Sequence, residues 1–190
     1  MPFGRGRAVG ADWSGVVQQI LGGWSVNGIL TSSDGNRATL TVPFNHSRSG
    51  QTTDVPDRPT LIPGGNNSPV LADGRDPNNY FDVNQFVLGP AGYYGNTARS
   101  SLELAGVFTT DISVSKNWAV HGEERYVQFR AEMFNIANRA NFGGLGGINS
   151  NAIAMFGGTS AAPTRSPTAS IITRTSTTAR QIQFALKLYF

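Results

Sequence analysis

The chain has 190 residues, 15 basic and 12 acidic, no cysteine and two histidines, and only 14% of it is charged, against about 25% in an ordinary soluble domain. One domain is the most this length suggests; a disulfide framework, a thiolate zinc site and a cysteine nucleophile are excluded, and His46 and His121 are too few for a histidine-rich metal centre. A net charge of +3 without a dense run of Lys or Arg gives no reason to expect nucleic acid, and 39% hydrophobic residues interrupted by 23 glycines and 10 prolines argue against both a disordered tail and an all-helical fold.

The opening residues Met1-Pro2-Phe3-Gly4-Arg5-Gly6-Arg7 are charged but lead into no apolar stretch with a small-residue cleavage site, so no secretory signal is read there. Trp13 to Ser33 and Ala140 to Thr164 are uncharged, yet too rich in Gly, Ser, Asn and Gln for transmembrane helices. The first strand is expected at Leu21 to Ser32, where Trp24, Val26 and Leu30 share a face with Gly28 and Ser25, Asn27 and Thr31 turn the other way. Asp34 to Gly106 is then a long connection, broken by prolines from Pro43 to Pro90 and by the turn pairs Asp34-Gly35 and Asp73-Gly74. Short strands are expected in it at Thr39 to Val42 and near Tyr80 to Phe86, and His46 is expected to be solvated.

Val107 to Trp118 sets Phe108, Ile112, Val114 and Trp118 against Thr109, Asp111, Ser113, Ser115 and Asn117. A short turn around His121-Gly122-Glu123-Glu124 leads to Arg125 to Ile136, which opposes Val127, Phe129, Ala131 and Met133 to Gln128, Arg130 and Glu132, so the two segments form a hairpin. Ala137 to Arg180 is a second long connection, with a short strand expected at Ser170 to Thr173. Its run from Gly143 to Gly147 has Asn149 where a dinucleotide loop needs a third glycine, and reads as a flexible loop. The clearest alternation comes last. Ile182, Phe184, Leu186, Leu188 and Phe190 face one way, and Gln181, Gln183, Ala185, Lys187 and Tyr189 the other.

One short connection between two long ones, strands of about ten residues, and an apolar/polar dyad repeat together describe an outer-membrane barrel. Trp24, Trp118, Tyr126, Tyr189 and Phe190 fall near strand ends, as an interfacial girdle does. The expected fold is therefore all-β and antiparallel, a partial transmembrane β-barrel with long extracellular loops. Ile112, Val114, Val127, Phe129 and Ile182 are assigned to lipid, and Asp111, Arg130, Glu132 and Lys187 to the lumen, where opposite charges on the hairpin strands would contribute roughly 0.2–1 kcal/mol. No Ser/His/Asp, metal-ligand or calcium-loop spacing is found, so no catalytic residue, metal or cofactor is expected. Two alternatives are a soluble all-β binding or adhesion module, its apolar faces closed into a sandwich core, and a self-contained barrel of about eight strands. What covers Ile182, Phe184, Leu186 and Leu188 separates the sandwich from the barrel.

Several segments carry a family likeness: Leu21-Gly22-Gly23-Trp24-Ser25-Val26-Asn27-Gly28-Ile29-Leu30, Arg58-Pro59, Tyr94-Gly95-Asn96 with Arg99, Phe129-Arg130-Ala131-Glu132-Met133-Phe134-Asn135 with Asn141-Phe142-Gly143, and Arg180 to Phe190. Along nearly its whole length the chain resembles the final part of the barrel of TonB-dependent outer-membrane receptors of the Oar-like type. The resemblance implies energy-coupled substrate uptake, no enzymatic activity, and an outer-membrane location in a Gram-negative-type bacterium. It implies as partners outer-membrane lipid, the remaining strands of a parent barrel, the barrel-assembly machinery and, through a plug not seen here, the TonB complex. Phe184, Leu186, Leu188, Tyr189 and the terminal aromatic Phe190 look like the signal that machinery reads. A 22-stranded barrel, as this family has, would leave 190 residues with under about nine per strand and connection, less than one crossing. Residues 1–190 are therefore expected to be about four full strands of a larger barrel, without plug or signal peptide, with Met1-Pro2-Phe3-Gly4 matching a Leu-Pro-Phe-Gly-like strand exit and Met1 an internal or misassigned start.

Overall fold

The computed structural model describes residues 15–50, 56–71, 76–121, 125–145 and 152–190. They fall into two compact units, one within 15–32, Phe108–Arg139 and Thr178–Phe190 and the other within Ser33–Val107 and Ala140–Thr177. The expected turn centre at Gly122 to Glu124 and the pair Asp73-Gly74 lie outside the described residues.

The first unit is built on four strands, β1 (Trp24–Ser33), β2 (Val107–His121), β3 (Arg125–Phe134) and β4 (Gln181–Tyr189), hydrogen-bonded in that order. β3 runs antiparallel to both β2 and β4, with Ile112 opposite Met133, Trp118 opposite Val127, Ile182 opposite Met133 and Leu188 opposite Val127. β1 runs antiparallel to β2, since the Asn117 amide donates to the Gly23 carbonyl while Gly28 sits against the Asp111 carbonyl. These are the four long strands that alternation predicts. The register slips once, between Ala119 and His121, a bulge next to the turn.

Leu21 is not in the strand where the alternation places it. It closes a short helix, α1 (Gly15–Leu21), and the Trp24 indole donates to the Ile20 carbonyl at 2.9 Å. The reason is Gly23, whose φ of +71° is unsuited to a strand and where a Cβ would stand 2.8 Å from the Asn117 carbonyl oxygen. The chain can extend only after it.

At its other end β3 stops on a side-chain knot. Asn135, 4% exposed, takes φ +47°, which Asn tolerates better than most residues. Its amide donates to Asp111 Oδ1 at 2.8 Å, its Nδ2 donates to the Arg139 and Thr178 carbonyls at 3.0 Å each, and its Oδ1 accepts from the Arg139 amide at 3.0 Å. Asn138 then accepts from the Arg180 amide at 3.0 Å, leading into β4.

The second unit replaces the two expected long loops. Both connections contribute to one core that includes Leu40, Val42, Phe81, Phe86, Leu102, Ile153 and Met155. Arg37–Thr41 pairs antiparallel with Leu102–Glu103 and parallel with Ala152–Ala154, so strands more than a hundred residues apart share a sheet. Two-stranded pairs surround it: Thr60–Leu61 with Phe86–Val87, Phe142–Leu145 with Ile172–Thr175, and Phe156–Gly158 with Pro163–Arg165. The strand expected near Tyr80 to Phe86 is interrupted: Phe81 bridges Val70 and Phe86 opens a strand, but between them Val83–Gln85 is a 3-10 turn, opened by the Asp82 side chain on the Asn84 amide. The strand expected at Ser170 to Thr173 is shifted to Ile172–Thr175, because Ser170 is used otherwise: its hydroxyl donates to the Phe81 carbonyl and accepts from the Phe81 amide, stitching the two connections together. Of the run from Gly143 to Gly147 expected as a flexible loop, Gly143 to Leu145 belong to a ladder, and Gly146 and Gly147 lie outside the described residues.

Candidate functional site

The register makes the four-stranded sheet two-faced. On one face lie Ile112, Val114 and Trp118 of β2, Val127, Phe129, Ala131 and Met133 of β3, and Ile182, Phe184, Leu186 and Leu188 of β4. Phe129 and Phe184 stack at 6.0 Å, a cross-strand aromatic pair that fixes the β3–β4 register. Among the described residues the β4 side is uncovered: Ile182 is 53% exposed, Phe184 71%, Leu186 72% and Leu188 64%. A sandwich core would have buried these four side chains beneath a second sheet, and among the described residues none lies over them. Such a contiguous apolar surface is unfavourable in water and marks contact with another apolar phase.

The opposite face is polar. Arg130 and Glu132 lie on β3 two residues apart with Nη1 and Oε1 at 3.5 Å, Gln183 Nε2 donates to Glu132 at 2.7 Å, and Gln128 Nε2 donates to Asn117 at 3.0 Å. Lys187 stands opposite Gln128 and is exposed. The expected link between Asp111 and Arg130 does not form. Arg130 is paired across the sheet with Ser115 and Ala185, and Asp111 is occupied by the Asn135 amide, so its role here is to hold the end of β3. The Arg130 Nε is buried without a partner among the described residues.

At the turn end of the sheet the aromatics gather. Tyr126 and Tyr189, directly opposite each other, stack at 4.4 Å, and Phe190 follows β4 at 98% exposure. Lys116 is the residue that the alternation overlooked. It sits on the apolar face, is 2% exposed, lies 5.1 Å from the Trp24 ring centroid and 5.4 Å from that of Trp118, and donates to the Gly22 carbonyl. A lysine on an apolar parity two residues before a tryptophan is the signal that could have found it. The two indole faces and one carbonyl satisfy a charge that would otherwise be costly on that side.

The chemistry elsewhere is structural in its geometry. His46 is buried rather than solvated. Nε2 lies 2.7 Å from the Gly89 carbonyl, which can only accept, so this nitrogen carries a proton, and Nδ1 shares a hydrogen bond with the Ser160 hydroxyl at 3.3 Å. Asp57 takes the neighbouring Ser47 amide and hydroxyl at 2.7 and 2.8 Å. Burial, with Glu103 nearby, raises the Tyr80 phenol above its usual range, and the Gln85 side chain and Asn84 amide on Asp82 hold that carboxyl below its own. Among the described residues no group of three or more His, Asp or Glu could hold a metal ion.

No curated protein and no solved structure matches the chain. A family model described as "Outer membrane beta barrel domain" matches residues 1–183. With an open antiparallel sheet, an uncovered apolar face and aromatics at the strand ends, the chain belongs to the outer membrane beta barrel domain family, and its location is the cell outer membrane.

Proposed function

We propose that the chain is part of a TonB-dependent outer-membrane receptor and supplies barrel wall and extracellular segments for energy-coupled substrate uptake, without catalytic activity of its own. The observation that carries this reading is the bare apolar face from Ile182 to Leu188 beside a hydrogen-bonded polar face. On this reading the first face meets acyl chains and the second the lumen, with Arg130, Glu132 and Lys187 toward solvent or a plug.

An open edge within hydrocarbon leaves backbone groups unpaired at several kcal/mol each, so β1 and β4, the outer strands of the sheet, would find partners in further strands of a larger barrel. The terminal aromatic and the apolar row before it would be read by the barrel-assembly machinery, and the TonB complex would act through a plug encoded upstream. The Asn135 knot supports the likeness, since it gives the Phe129-to-Asn135 segment a structural reason for its residues.

The test is to follow the reading frame upstream of Met1, express the whole product in its bacterium and measure uptake with and without an active TonB complex. Further alternating strands, a plug and uptake that stops on TonB removal are expected. An upstream frame without a plug, or transport indifferent to TonB, refutes the proposal.

A further inference from the structure

The second unit contains a cavity of about 280 Å³, just below the roughly 300–1,000 Å³ of pockets for drug-sized ligands, which suits a smaller molecule. One wall comes from 33–36 and 104–107, joined by the Leu104 amide on the Asn36 carbonyl; another comes from the Phe142–Leu145 and Ile172–Thr175 ladder. Tyr80 and Ile153, both buried, supply core-side lining, and Leu104 and Ile172 add apolar surface. The first wall carries Asp34 and the second Arg174. Both are exposed, and among the described residues neither the carboxylate nor the guanidinium has a hydrogen bond or an ion pair. Two opposite charges that border one cavity of mixed polar and apolar lining without pairing with each other fit a ligand carrying both complementary charges and an apolar part.

We infer that this cavity binds a small zwitterion with an apolar side group, a free amino acid or a peptide of two or three residues. Its ammonium pairs with Asp34, its carboxylate with the Arg174 guanidinium, which is suited to bidentate recognition, and its side chain lies against Ile172 and Leu104. The pocket is built entirely within Ser33–Val107 and Ala140–Thr177, and its binding is measured without uptake, so it stands or fails separately from the TonB reading.

The test is calorimetric titration of the full chain in detergent micelles with L-leucine, leucyl-leucine and N-acetyl-leucinamide, the last keeping the apolar body without either charge. Saturable binding of at least one zwitterion is expected, with the neutral analogue and the variants Arg174→Gln and Asp34→Asn each weaker by about tenfold. Preference for leucine or for the dipeptide supports the assignment in either case and sets the ligand's length. The comparison of charged and neutral probes uses the unaltered protein and so does not depend on how the variants fold. Absence of saturable zwitterion binding, equal binding of the neutral analogue, or unchanged affinity in both variants overturns it.

Discussion

Leu186→Arg and Gln183→Arg make the most direct trial of the two-faced sheet. Both positions lie on β4 near its centre, Leu186 opposite Phe129 on the apolar face and Gln183 opposite Glu132 on the polar one. Nine residues at about 3.4 Å each, tilted by about 45°, span roughly 20 Å along the membrane normal, so on the proposed reading Leu186 would lie well inside an apolar band of about 25 Å. Arginine near the midplane of such a band costs about 2–4 kcal/mol, whereas at position 183 its guanidinium can reach Glu132 and the change should stay within about 1 kcal/mol. Because Leu186 is 72% exposed in the chain itself, the penalty exists only when lipid surrounds the sheet. Urea unfolding of the whole upstream-extended barrel carrying each substitution, reconstituted in phosphatidylcholine vesicles and followed by tryptophan emission, reads the difference. Equal stabilities for the two variants in vesicles would refute the assignment of the aliphatic face to acyl chains.

The remaining predictions concern the knots and the core of the second unit. Asn135→Gly removes three side-chain hydrogen bonds and should lower stability by about 2–4 kcal/mol; Asn135→Ala should lose about 1 kcal/mol more for its left-handed φ, and an alanine variant as stable as the parent in urea would discount the knot. Gly95→Ala places a Cβ 2.0 Å from the Arg58 carbonyl oxygen and 2.3 Å from that of Pro59, so about 2–3 kcal/mol should be lost, read as faster hydrogen exchange at the Thr97 amide, which donates to Pro59. The raised Tyr80 phenol favours the fold fully below its usual value of about 10, and this contribution is lost as pH rises through its folded value. Absorbance near 295 nm should therefore show a late-ionising tyrosine accompanied by unfolding of the second unit, and Tyr80→Phe should abolish that late step.

The sequence alone determined the four long strands, their order in the chain and the faces of β2, β3 and β4, because a period of two is a local property and one apolar residue in every pair is enough to reveal it. It also gave the single short connection between β2 and β3. Where local pattern ends, tertiary structure decided. The partnership of Arg37–Thr41 with Ala152–Ala154 joins residues far apart in the chain, and a buried row as short as Ala38, Leu40 and Val42 becomes visible only when a distant segment covers it. The burial of His46 depended on Gly89 and Ser160 arriving beside it. Asp111 could be placed on the polar parity from the sequence, but whether it met Arg130 or the Asn135 amide was a question of register, settled where β3 stops. Lys116 broke the apolar alternation, and only the approach of Trp24 and Trp118 supplied the environment that holds its charge on that face.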